Sequence, residues 1–109
     1  MSVDIMHENR TMTAVVTGEI DHHAAADIRM AIDGELGRTM PELLTFDMSG
    51  VTFMDSSGVG LILGRARELR QWGGKVRITR PSGRAEIILK MSGLGALIVP
   101  ERTGKEKKK

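Results

Sequence analysis

Thr11 to Ile20 is rich in β-branched residues and follows the turn-prone Glu8-Asn9-Arg10; with the weakly periodic Val3 to His7 before it, this predicts an opening β-hairpin. The hydrophobic period then lengthens. Ala24, Ala25, Ile28, Ala31, Ile32 and Leu36 recur at helical spacing behind Asp21, which stands where an N-cap would, while Asp27, Arg29, Asp33 and Arg38 are expected to face water. Gly37 and Pro41 punctuate the exit, and the mostly apolar run Leu43 to Met48 suits a strand covered on both sides.

A second helix is predicted from Asp55 or Ser56, with Val59, Ile62, Leu63, Ala66 and Leu69 as its apolar stripe and Arg65, Arg67, Glu68 and Arg70 opposite. Gly73-Gly74 ends it. Lys75 to Arg80 alternates around Val76 and Ile78 as a strand, Pro81 breaks it, and Ser82 to Met91 returns to helical spacing with Ala85, Ile88 and Leu89. Gly93 fits a helix C-cap, Ala96 to Val99 is a candidate last strand, and the end of the chain is too polar to pack. Strands alternating with helices imply an α/β domain. Its sheet is expected to be mostly parallel, with one antiparallel strand from the hairpin and helices after the second, third and fourth strands. The domain is assigned to residues 1–99 and a lysine-rich tail to 100–109.

Composition narrows the function. A chain of 109 residues has room for one core, and without cysteine it can use neither disulfides nor thiolate zinc sites. The net charge of +2 owes much to Lys105, Lys107, Lys108 and Lys109, and aromatic residues are only 3% of the chain, which argues against direct nucleic-acid binding. No apolar run approaches a membrane span and the first residues lack the pattern of a signal peptide, so a cytoplasmic location without membrane contact is expected.

In a parallel sheet the loops at the carboxyl ends of the strands gather ligands and partners. Three loops qualify: Gly18 to His23, Phe53 to Gly58, and Arg80 to Gly83. The central one places a serine hydroxyl at the start of a helix, where the dipole and the first-turn amides favour a phosphate, and Gly58 and Gly60 would leave a partner room to approach. The same Asp55-Ser56-Ser57-Gly58 run is equally a helix cap and tight turn. His22 and His23 are adjacent and point about 100° apart on a helix, a poor metal pair. Catalysis by Ser56 or Ser57 would need an oriented base, and neither a G-x-S-x-G elbow nor a phosphate-binding P-loop is present.

Taken together, Gly18-Glu19-Ile20-Asp21-His22-His23, Phe53-Met54-Asp55-Ser56-Ser57-Gly58-Val59-Gly60, Ile62-Leu63-Gly64-Arg65, Gly73-Gly74 and Met91-Ser92-Gly93-Leu94 resemble the bacterial STAS-domain anti-sigma factor antagonists. The Glu-Ile-Asp-His-His run is similar to the sporulation-type branch more than to the general-stress branch. The resemblance implies a non-enzymatic partner switch: the unphosphorylated protein binds an anti-sigma factor that is also a serine kinase, freeing a sigma factor. The kinase then phosphorylates the second serine, here Ser57, and a metal-dependent serine phosphatase reverses it. The resemblance further implies that Glu19, Asp21, His22, Asp55, Ser56, Ser57 and Gly58 form the partner-binding surface. No cofactor is expected on this chain, since ATP belongs to the kinase. A small-ligand or nucleotide-binding STAS module is the alternative on the same loops.

Overall fold

A computed structural model describes residues 1–100. The chain runs β1 (Ser2–Glu8), β2 (Thr11–Ile20), α1 (His22–Thr39), β3 (Leu43–Met54), α2 (Ser56–Arg70), β4 (Lys75–Thr79) and α3 (Gly83–Met91), then a 3-10 turn at Gly95–Leu97. The sheet order is β1-β2-β3-β4, with β1 antiparallel to β2 and the other pairs parallel. This is the α/β class and topology expected from the alternation of periods.

Burial follows the strand period. Met12, Ala14 and Val16 of β2 and Leu44, Phe46 and Met48 of β3 are buried, and they meet Ile28, Ile32 and Leu36 of α1, Leu61, Ile62 and Leu69 of α2 and Leu89 of α3 in one continuous core. The alternate positions Thr11, Thr13, Val15 and Thr17 are only half-buried. That corrects the expectation of a strand buried alike on both sides: on the second face of β3, Asp47 is half-buried and takes an ion pair from Arg80 at 2.5 Å. Neighbouring Thr45 is buried and accepts a hydrogen bond from Arg77 Nε at 2.9 Å.

β3 runs well past Met48. Through Ser49-Gly50 the chain stays in the sheet by shifting register between the β2 positions Val15 and Thr17. Asp47 Oδ1 accepts from Ser49 N at 3.1 Å, and a side chain at Gly50 would reach 2.8 Å from Thr17 Cγ2, so the shifted strand needs glycine there. The result carries β3 to Met54, level with Ile20, and delivers two loops to one end of the sheet.

Other ends differ in detail. α1 continues through Gly37, and Met40, at φ 44°, takes the left-handed cap by donating to Leu36 O at 2.8 Å. The predicted last strand is instead the 3-10 turn followed by a single bridge from Ile98 to Ile78, where Val99 N donates to Ile78 O at 2.8 Å. Four residues cannot form both the turn and a ladder. The lysine tail lies outside the described residues apart from Pro100.

Candidate functional site

β2 and β3 are parallel neighbours, so the two helices that follow them start side by side. Each start is capped by an aspartate in extended backbone. Asp21 Oδ1 accepts from Ala24 N at 2.9 Å, and Asp55 Oδ1 accepts from Ser57 N at 2.8 Å. The Ala24 N–H holds the Asp21 carboxyl below its ordinary value of 3.8, more than offsetting the effect of desolvation. Asp55 N donates to Ile20 O at 3.3 Å, which ties the second cap to the last residue of β2 and fixes the two loops against each other.

Every residue expected at the partner surface falls in this corner. Glu19 is exposed and paired in register with Phe53; Asp21 and Asp55 are the caps; Ser56 is exposed and Ser57 half-buried in the first turn of α2. His22 and Ser57 line the same cleft between α1 and α2, about 350 Å³ in volume. His23 packs edge-on to His22 with ring centroids 5.6 Å apart. His7 is elsewhere, 2.9 Å from Glu35 on α1. Among the described residues no cluster of His, Asp and Glu could hold a metal ion.

Three expectations need correction. Gly58 is buried, and a methyl there would come within 2.5 Å of Met54 Cγ and Sδ, so its missing side chain makes room for the core rather than for a partner. Gly60 is exposed, and a methyl on it would meet nothing within 4 Å. The first-turn amides are also less free than a phosphate cradle requires, because Ser57 N binds the Asp55 carboxylate and Gly58 N binds Asp55 O at 3.0 Å. Finally, Arg65 does not face water with Arg67 and Arg70. Its side chain is only 10% exposed and its Nε lies 3.1 Å from Asp33 Oδ1, close enough for charge pairing but without hydrogen-bond geometry. The signal was in the spacing: Arg65 is three residues after Ile62 and four before Leu69, on the buried stripe itself.

The arrangement can present a hydroxyl, two carboxylates and an imidazole to a large partner. Among the described residues no helix is long and apolar enough to cross a membrane. The STAS domain family model matches residues 2–107. An anti-sigma F factor antagonist of Lysinibacillus sphaericus is 38% identical over 90 residues, covering 83% of this chain and 77% of the relative. The anti-sigma factor antagonist SpoIIAA in its unphosphorylated form superposes with a TM-score of 0.84 at 30% identity, over 98% of this chain and 94% of that one. The Bacillus cell fate determinant SpoIIAA in its phosphorylated form gives 0.75 at 30% identity, over 98% and 97%.

Proposed function

The chain belongs to the STAS-domain family of anti-sigma factor antagonists, and from that premise we propose that Ser57 is the residue on which its partner switch turns. The protein is an anti-sigma factor antagonist, and the sporulation-type branch fits the two relatives named anti-sigma F factor antagonists. Its partner is an anti-sigma factor. In this reading that partner is also the serine kinase and supplies ATP, a metal-dependent phosphatase restores the binding form, and the cycle runs in the cytoplasm with no catalytic residue or cofactor on this chain.

The observation that carries the assignment is the position of Ser57 in the first turn of α2, its N–H bound by the Asp55 carboxylate, on a loop locked by the Asp55 N to Ile20 O bond to the one that carries the Asp21 cap. A phosphate on Ser57 adds about −1.5 to −2 charges beside these carboxylates, which a docked partner would have to desolvate and tolerate together. Binding is lost through repulsion and desolvation. Ser57, lining the cleft beside His22, is the better-placed acceptor than the outward Ser56 because the partner must cover it.

The test is mass spectrometry after incubation with the cognate anti-sigma factor and Mg-ATP, comparing wild type with Ser56→Ala and Ser57→Ala. One phosphate that disappears only in Ser57→Ala supports the switch. A kinase that binds the protein yet leaves it unmodified removes Ser57 from the mechanism.

A further inference from the structure

The cleft between α1 and α2 extends beyond Ser57. α1 and α2 begin at the same end of the sheet, so His22 and Ser57 lie in their first turns and Arg29, Gly64 and Arg65 about 10 Å further along. Its walls are small: Ala25 and Ala26 on α1, Gly60 and Gly64 on α2. Neither glycine is there to admit a neighbour, since a methyl on either would meet nothing within 4 Å. Each also destabilises its helix relative to alanine. Packing therefore gives no reason for these two glycines, whereas keeping the cleft open does.

The charge at the inner end is also incomplete. Arg65 lines the cleft with a side chain nine-tenths buried, and its Nε and Nη1 have no hydrogen-bond partner among the described residues. Buried guanidinium donors are costly to leave unmade. Asp33, itself 44% exposed, is the one carboxylate paired with Arg65, and no ion pair to Arg29 is found among the described residues. Two cations thus line the cleft, no carboxylate is among its lining residues, and the excess is positive.

We propose that this cleft is a docking groove for an acidic side chain of the anti-sigma factor, whose carboxylate pairs with the exposed Arg29 in the field of the buried Arg65 guanidinium when the partner covers Ser57. The proposal rests on the partner-switch reading and assigns a second, opposite charge contact to the same interface. The occupant is a protein side chain because the groove is continuous with the Ser57 surface and open to solvent along it. The carboxylates that cap the two helix starts, Asp21 and Asp55, exclude a phosphorylated face, and the cations further along the cleft select the partner. Arg29 and Arg65 are therefore specificity residues of binding, separate from the phosphorylated position.

The experiment measures the affinity of the full chain for the cognate anti-sigma factor, with Arg29→Glu and Gly60→Leu as the main variants because both positions are exposed and tolerant. Arg65→Gln is added with a thermal melt to separate misfolding from lost contact. Arg29→Glu and Gly60→Leu should each weaken binding at least tenfold while melting no lower than wild type, and Ser57 phosphorylation should still abolish binding. Affinities within twofold of wild type for both variants, with phosphorylation still releasing the partner, overturn the groove and leave the switch standing. No binding by unphosphorylated wild type overturns the partner reading first. A parallel titration with inorganic phosphate and with free glutamate covers the other source of an anion. Saturable binding of either that Arg29→Glu removes, with partner affinity unchanged, makes the cleft a small-anion site and also overturns the proposal.

Discussion

Asp21 and Asp55 are equivalent caps on neighbouring helices, one accepting from Ala24 N at 2.9 Å and the other from Ser57 N at 2.8 Å. The Asp55 cap is the more consequential, because it also sets the orientation of Ser57. Asp55→Ala should cost about 1 kcal/mol of stability. Asp55→Asn, which keeps an acceptor oxygen, should recover most of it. Chemical denaturation of the three proteins checks this, and an Asp55→Ala variant as stable as wild type would mean the cap contributes nothing.

Acid should destabilise the fold through three carboxyls. His7 and Arg38 hold Glu35 below its ordinary value of 4.5. Ala24 N holds Asp21 below 3.8. For Asp47 burial pulls upward, but Ser49 and Arg80 outweigh it and the pKa again falls below 3.8. All three folded-state values are depressed, so the unfolded chain binds more protons as the pH drops. The contribution is complete above the ordinary carboxylate values and is lost as pH falls through the folded ones. Melting temperature followed from pH 6 to about pH 2 should decline below about pH 4.5. Glu35→Gln should flatten the upper part of that decline.

Much of this architecture was legible because the sequence signals were redundant. β2 has β-branched residues and a preceding turn, α1 has its Asp21 cap and an unbroken stripe, and α2 starts at a serine pair behind Asp55. Where a single local signal stood alone it misled. The apolar run ends at Met48, yet β3 goes on through Ser49-Gly50 in a shifted register to Met54, because pairing with β2 outlasts the apolar signal. Gly37 reads as a helix end, yet the chain goes on until Met40 can donate to Leu36 O. In the site, the loops and serines were visible from spacing and resemblance. The inward turn of Arg65 was obscured by its charge, although its position between Ile62 and Leu69 was the stronger clue.

Gly74 should be intolerant of any side chain. A methyl there would stand 2.8 Å from Pro41 O and 3.1 Å from Trp72 Nε1, the two atoms that bond each other at 2.8 Å. The carbonyl is backbone and cannot swing aside, so Gly74→Ala should destabilise by about 1–3 kcal/mol. Trp72→Phe leaves the Pro41 carbonyl without this donor and should cost about 1 kcal/mol. The double variant should lose less than the sum, because both substitutions break one contact. Additive losses would separate the two.

Phosphorylation of Ser57 should release the partner without unfolding the chain. The phosphate at the first turn of α2 is favoured by the helix dipole and opposed by the neighbouring Asp55 carboxylate, leaving a net change within about 1 kcal/mol. Ser57→Asp supplies one charge on a shorter arm, so its affinity should fall between wild type and the phosphoprotein. Calorimetric melting and binding titration of all three forms read the two effects separately. Equal affinity of Ser57→Asp and wild type would reject charge exclusion as the cause. A phosphoprotein that melts well below wild type would place the release in lost structure at α2 instead of in repulsion at the interface.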